Sequence, residues 1–220
     1  MKVSNVFEGV EGIGKFSNEN AIIVVFGLKG ELITGSDLKE KVFGIETKKP
    51  FDRVLLAGND PFRYTRDSEF VKFIKAIKKM KKKVDVITDG YFSFDLDVVS
   101  LFDYVFINVR FMNANPYYLY PSNVIRSLKD KLGDRLSFGF LIPKVCDEFA
   151  IMMFIDDKKI KGSDVYLVPN AKDAHKLMYA FGDVRRVEKE LQKMKNVNVL
   201  LSDRHDLEHG YQLLEFFRGI

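Results

Sequence analysis

Short apolar runs rich in β-branched residues alternate along this chain with segments whose apolar residues recur every three or four positions. Runs of the first kind predict strands, at residues 21–26, 53–56, 84–88, 104–109, 136–141, 164–168 and 197–201. Segments of the second kind predict helices, at residues 38–45, 67–82, 96–102, 123–131, 147–156, 173–194 and 206–217. The two kinds follow one another in regular order, which is typical of α/β proteins.

Runs such as AIIVV, residues 21–25, are apolar at every position. Such runs are typical of parallel strands that helices cover on both faces. We therefore expect a mostly parallel sheet, either open and doubly wound or curved into a full or partial barrel. A chain of 220 residues fits a single domain over residues 1–220, because a fold of this size buries roughly 70% of its unfolded surface.

Polar residues follow most of the predicted strands. In parallel α/β folds ligands bind at the carboxyl ends of the strands, so these residues are candidates for a binding cleft. They are Gly58, Asn59, Asp60, Asp89, Gly90, Arg110, Lys144, Asn170, Ser202, Asp203, Arg204 and His205. A solvated turn is the alternative interpretation of each residue taken alone.

Four short motifs occur in an order that resembles a known family. GVEGIGKF (9–16) followed by AIIVVFGLKGELITGSD (21–37) resembles the opening of the radical SAM enzymes of the 7-carboxy-7-deazaguanine synthase group, where a similar segment precedes a strand and a CxxxCxxC loop. AGNDP (57–61), ITDG (87–90) and LLSDRH (200–205) are similar to the family's GGEP, TNG and QxH segments. The resemblance implies a partial (β/α) TIM-like barrel of radical SAM type and a homodimer.

The cysteines of the family's cluster loop are missing from this chain. Their places fall on Leu28, Leu32 and Gly35, and the single cysteine is Cys146. A four-iron cluster needs soft thiolate ligands. We therefore expect no iron–sulfur cluster, no radical SAM activity and no resident cofactor. Binding of SAM is doubtful, because in the family a cluster iron anchors its amino and carboxylate groups.

The resulting interpretation is a noncatalytic relative, or pseudoenzyme, that binds a nucleotide- or purine-like ligand or a protein partner. The resemblance implies that Gly58 and Asp60 contact the ligand. It also implies that Ile13 stands in the place of a family glutamate, and isoleucine cannot accept a hydrogen bond. The candidate ligand-binding residues are Glu11, Gly58, Asn59, Asp60, Asp89, Arg110, Lys144, Asp203 and Arg204.

A hydrolase is a second interpretation, with Asp60, Asp89 and His205 as acid and base groups in the same cleft. The segment HDLEH also matches the HxxEH pattern, which would place His205 and His209 on one helix face near a zinc ion. Only eleven residues follow His209, too few for the distant third ligand of such peptidases. We therefore expect no metal, with both histidines satisfied locally.

An RNA-associated factor is the third interpretation. In FVKFIKAIKKMKKKVDV (70–86) the apolar residues fall on one helix face and lysines cover the other. Solvation of a crossover helix explains such a face, and phosphate binding is the alternative. Tyr117, Tyr118 and Tyr120, between Pro116 and Pro121, form an aromatic segment that could stack on a base, form a lid or pack in a dimer contact. Of these the dimer contact is preferred, and an ordered loop packed on its own barrel is the alternative.

Composition and charge indicate the cellular compartment that we expect for the protein. The net charge is +4, and the chain lacks an apolar run of the about 18 residues that a membrane helix needs. The first residues do not resemble a secretory signal, so we expect a cytoplasmic protein without a membrane partner. One cysteine, no tryptophan and abundant lysine resemble thermophile usage.

Overall fold

A computed structural model of the chain describes residues 1–10, 14–16, 19–45, 50–90, 93–109, 111–112, 115–116, 122–142, 147–169, 184–194 and 197–201. The chain divides into two compact units, and the boundary between Phe106 and Ile107 falls inside a strand. The single domain over residues 1–220 stays a prediction.

The first unit contains a mixed sheet with helices. Its elements are β1 (Lys2–Val10), β2 (Asn20–Phe26), β3 (Glu31–Leu32), α1 (Gly35–Phe43), β4 (Arg53–Gly58), a 3₁₀ turn (Pro61–Tyr64), α2 (Ser68–Lys79), β5 (Lys83–Thr88), α3 (Leu96–Val99) and the start of β6 (Tyr104–Val109). The strand order is β6-β5-β4-β2-β1-β3. Strands β2, β4 and β5 are parallel, whereas β1 is antiparallel to both β2 and β3.

The second unit continues from β6. Its elements are β7 (Phe111–Met112), β8 (Asn115–Pro116), α4 (Ser122–Leu132), a 3₁₀ turn (Gly133–Arg135), β9 (Leu136–Ile142), α5 (Glu148–Asp157), β10 (Asp164–Pro169), a helical stretch at 184–191 and β11 (Asn198–Leu201). Strands β9, β10 and β11 are parallel, and the order is β6-β9-β10-β11. Strands β7 and β8 form a separate antiparallel pair.

The α/β class and the mostly parallel sheet are confirmed. The described strands form a nine-stranded sheet whose order ends at β3 on one side and β11 on the other. No pairing among them joins β3 to β11, so the described sheet is not closed and the full barrel is not confirmed. The curvature of a partial barrel stays a prediction.

The seven predicted strands agree with the structure to within two residues, but β1 and the two-residue strands β3, β7 and β8 were not predicted. Helix α1 begins at Gly35, three residues earlier than predicted, because the Thr34 side chain accepts the Asp37 N–H (3.2 Å) and caps it. Helix α2 ends at Lys79, because Lys81 adopts a φ of 57°. Only residues 184–194 of the helix predicted at 173–194 are described, and the helix predicted at 206–217 lies outside the described residues.

The apolar face of α2 forms the core of the first unit. Phe70, Phe73, Ile74 and Ile77 are fully buried. The ring centroids of Phe70 and Phe26 are 5.8 Å apart, so α2 covers β2 directly. Burying each such side chain stabilises the fold by about 1.5–3 kcal/mol. Within the described residues, no helix is both long enough and apolar enough to span a membrane.

A buried ion pair lies near the amino end of β4. Arg53 donates from Nη1 to Asp85 Oδ2 (2.5 Å) and from Nε to Glu19 Oε2 (2.5 Å), and its guanidinium lies 3.3 Å from the centre of the Phe16 ring. The Asp85 side chain is fully buried and its Oδ1 has no hydrogen-bond partner in the described residues. Burial raises the pKa of Asp85 to about 6, although Arg53 favours the ionised form.

We predict that Asp85 makes stability depend on pH. The pKa of Asp85 lies above its ordinary value of 3.8 in the folded protein, so the folded state binds this proton more tightly than the unfolded state. The contribution, about 1–3 kcal/mol, is present below about pH 4 and is lost as the pH rises through about 6. Asp85→Asn removes this part of the pH profile in urea unfolding measured between pH 4 and 7.

Asp52→Asn is the matched control, because the Asp52 side chain is 90% exposed and pairs with Lys82 at 3.3 Å. This variant should keep the wild-type profile. An Asp85→Asn profile parallel to that of the wild type contradicts the prediction.

Candidate functional site

The carboxyl ends of β2 and β4 come unusually close together. Gly58, the last residue of β4, pairs in register with Phe26, the last residue of β2. Its φ is +99°, and a Cβ there would overlap the Phe26 carbonyl oxygen. The next residue, Asn59, donates its backbone N–H to that oxygen (2.8 Å). Only glycine fits this position, and the chain turns sharply after it.

Asp60 is the centre of this turn. It is 4% exposed and has a φ of 38°, which is rare for a residue other than glycine. Its Oδ1 accepts the backbone N–H of Phe62 (3.2 Å) and the hydroxyl of Thr88. Thr88, the last residue of β5, in turn accepts the N–H of Gly90 (3.0 Å). The Asp60 carboxylate therefore joins the turns that follow two neighbouring strands.

Asn59 presents an unusual polar group beside this carboxylate. Its Nδ2 is buried and has no hydrogen-bond partner among the described residues. A buried donor without a partner costs about 1–3 kcal/mol, and such groups in native structures call for a water, an ion or a ligand. An acceptor atom of a ligand would satisfy it.

The structure therefore brings together four of the predicted site residues. Gly58, Asn59 and Asp60 lie in one turn, and Asp89 follows Thr88 in the adjacent turn. Other predicted site residues lie outside the described part of the chain: Glu11, Arg110, Lys144, Asp203, Arg204, His205 and His209. Their roles stay predictions, as does the dimer contact at Tyr117, Tyr118 and Tyr120. No group of three metal-ligating side chains occurs among the described residues.

Thr88 was missed by the sequence reasoning. Its hydroxyl is buried and bonded to Asp60. The strand KVDVIT carries a signal for it, because every second residue of a strand faces the same side of the sheet. Thr88 therefore lies on the same side as Val84 and Val86, where a polar side chain needs a hydrogen-bond partner.

The loop after β2 packs against the start of β1. Strand β3 pairs with β1, at Lys2 with Leu32 and at Val3 with Glu31. Gly30 lies so close to the backbone of Val3 that a Cβ would overlap it. The loop therefore crosses from one side of β1 to the other and joins two strands that are both antiparallel to β1.

The three places of the missing cysteines do not form a common site. Leu28 is 59% exposed and Leu32 is 77% exposed. Gly35 is buried, donates its N–H to Glu69 Oε2 (2.9 Å) and leaves no room for a Cβ beside the Glu69 carbonyl oxygen. None of the three carries a thiolate. The residues present do not fit an iron–sulfur cluster.

The described part of GVEGIGKF contacts the amino ends of the parallel strands, called here the amino edge, and the turn at Asp60 lies at their carboxyl ends, the carboxyl edge. Lys15 donates its backbone N–H to the hydroxyl of Tyr104 (3.1 Å), and Arg53 stacks on Phe16. Tyr104 and Arg53 begin β6 and β4, so these contacts are at the amino edge. Along β4 this edge is roughly 17 Å from Gly58. The described residues of this segment cover the amino edge and do not reach the turn at Asp60.

Comparisons with known proteins support the fold class. No protein-family model matches the chain, and no curated protein matches it. Among solved structures, SuiB of Streptococcus suis bound to S-adenosylmethionine is similar with a TM-score of 0.55 and 14% identity, over 84% of this chain and 45% of that chain. The chain thus spans less than half the length of the SuiB structure. This likeness concerns the fold alone.

A second solved structure is much less similar to this chain. An NAD-complexed D-isomer specific 2-hydroxyacid dehydrogenase of Lactobacillus delbrueckii ssp. bulgaricus matches with a TM-score of 0.27 and 12% identity, over 84% of this chain and 61% of that one.

We predict that Gly58→Ala destabilises the protein by about 3 kcal/mol or more, because the positive φ and the overlap with β2 act together. Gly133→Ala is the control: Gly133 has a φ of +55° but open space around its Cβ position, so only the backbone term of about 1 kcal/mol applies. Urea unfolding of the two variants measures the difference. Equal losses in the two variants would show that the close approach to Phe26 has no energetic weight.

Proposed function

We propose that this protein is a cluster-less relative of the radical SAM enzymes, akin to the 7-carboxy-7-deazaguanine synthase group, that binds a nucleotide- or purine-like ligand without radical chemistry. The ligand site lies at the carboxyl ends of β4 and β5, in the turns that follow Gly58 and Thr88. The observation that carries the proposal is the buried Asn59 Nδ2, which lacks a partner in the described chain beside a turn that Gly58 and Asp60 hold in a strained conformation.

The chemistry of the turn suits a small polar ligand. Asn59 supplies a donor, and the Asp60 and Asp89 carboxylates accept hydrogen bonds from amines or ribose hydroxyls. Gly58 has no side chain, so its backbone can approach a ligand closely. The AGNDP and ITDG motifs that resemble the family's ligand-binding segments are the ones that the Asp60–Thr88 hydrogen bond joins.

The noncatalytic part of the proposal is supported by the donor set of the loop after β2. Leucine and glycine occupy the three cysteine places, and Cys146 is the single thiol of the chain. Without thiolates, iron cannot be held there to deliver an electron to a sulfonium.

The hydrolase interpretation has less support. It needs Asp60 as an acid or base, but Asp60 Oδ1 already accepts two hydrogen bonds that hold the turn. Its partner His205 lies outside the described residues. No described contact favours this reaction over ligand binding.

We predict that calorimetric titration with a panel of SAM, adenosine nucleotides, guanine and deazaguanine compounds detects binding of at least one compound. Asn59→Asp replaces the buried donor with an acceptor of the same shape and should weaken that binding at least about tenfold, equivalent to about 1.4 kcal/mol. Asn5→Asp, at an exposed asparagine of β1, should leave it unchanged. The absence of heat across the whole panel counts decisively against the proposed ligand.

We also predict that anaerobic reconstitution with iron and sulfide leaves the protein colourless, because the described loop offers no thiolate. The measurement is iron content together with reductive cleavage of added SAM. A brown product with stoichiometric iron and cleavage of SAM overturns the noncatalytic assignment while leaving the fold unaffected.

A further inference from the structure

The lysines around the end of α2 fall into two groups. Three of them have carboxylate partners: Lys72 pairs with Glu69 (2.6 Å), Lys78 with Asp103 (2.7 Å) and Lys82 with Asp52 (3.3 Å). The Lys72 pair lies within α2, whereas the Lys78 and Lys82 pairs anchor the end of α2 and the turn after it to neighbouring segments. Their charges are largely neutralised locally.

The other group, here called the lysine row, consists of Lys75, Lys79, Lys81 and Lys83. All four side chains are exposed, and none forms an ion pair with a carboxylate in the described part of the chain. Lys75 and Lys79 lie one helical turn apart on the same face, with a rise of about 6 Å between them. Lys81 and Lys83 continue the row past the end of the helix into β5. Four exposed lysines without a described ion pair therefore follow one another along the chain between residues 75 and 83, beside the exposed Asp52 that pairs with Lys82.

Lys81 occupies a backbone position that favours glycine. Its φ of 57° follows the last turn of α2, where the Met80 N–H donates to the Ala76 and Ile77 carbonyls. The left-handed conformation costs a residue with a Cβ about 1 kcal/mol or more. The chain thus places a cation where glycine would be more stable.

The surroundings of the lysine row favour a polyanion over a lipid surface. The apolar face of α2 is fully buried in the core, so the helix has no apolar face left to insert into a membrane. The exposed apolar side chain within the row is Met80, 50% exposed. No described aromatic ring lies within the row to stack on an unpaired base.

We propose that the lysine row binds the phosphate backbone of a nucleic-acid duplex, independently of base sequence. This surface is separate from the site at Asp60 and does not depend on the proposed ligand. Clustered cations suffice for such contacts, and they make affinity depend steeply on salt. Four phosphate contacts give a slope of log K against log salt of about −3.6.

The experiment is fluorescence anisotropy with a labelled DNA duplex and an RNA duplex of the same sequence over a series of salt concentrations. Lys75→Gln/Lys79→Gln should weaken binding about tenfold at low salt and reduce the slope by about 2. Lys29→Gln/Lys189→Gln is the matched control, because both lysines are exposed and the net charge changes equally. This control should stay within about twofold of the wild type. Comparing the two duplexes identifies which nucleic acid is preferred.

Lys81→Gly separates binding from folding. It should weaken duplex binding about two- to fivefold while leaving thermal stability equal to or above that of the wild type, because the positive φ suits glycine. A role limited to helix solvation predicts no change in binding. This variant also keeps the test valid if the double variant fails to fold.

Any of these results overturns the proposal: no saturable binding to either duplex at low salt, an equal loss in the control pair, or binding to phosphatidylserine vesicles in place of both duplexes. A salt slope near zero has the same meaning, because it excludes phosphate contacts.

Discussion

The close approach of Gly58 to the carbonyl oxygen of Phe26 is the constraint on which the carboxyl edge depends. With no side chain at Gly58, the backbone of β4 can turn against the end of β2. The backbone N–H of Asn59 then donates a hydrogen bond to the Phe26 carbonyl oxygen. That turn places Asp60 where its carboxylate reaches Thr88 on β5. The geometry of the candidate site therefore follows from backbone packing before any functional side chain is considered.

The two edges of the parallel strands in the first unit have different chemistry. At the amino edge, Arg53 pairs with the carboxylates of Glu19 and Asp85 and stacks on Phe16, although Asp85 Oδ1 keeps no described partner, and the Tyr104 hydroxyl accepts the Lys15 N–H. At the carboxyl edge, Asn59 keeps a buried donor for which the described chain supplies no acceptor. Each edge thus keeps one buried polar atom without a described partner, but at the amino edge that atom belongs to a carboxylate already paired with Arg53, whereas Asn59 Nδ2 belongs to a neutral amide beside the open turn at Gly58 and Asp60. This difference favours the carboxyl edge in the proposed function.

The sequence predicted the parallel strands well, because runs such as AIIVV have one physical solution, burial on both faces. It did not predict β1, since KVSNVFEGV mixes buried Val3 with exposed Ser4 and Asn5 and pairs through an irregular register between Val3 and Asn5. The motifs located the turn at Gly58 and Asp60 correctly as strand ends. They could not reveal that Thr88 closes it, because that hydrogen bond joins residues 28 positions apart.

Contacts within the chain order the loop after β2. This stretch is held by β3 pairing with β1, by the Thr34 cap of α1 and by the Gly35 N–H bonded to Glu69. Each of these contacts is worth about 1 kcal/mol, and together they order the loop through the protein's own groups. Gly30 and Gly35 are required for close packing, because a Cβ at either position would overlap backbone atoms of Val3 or Glu69.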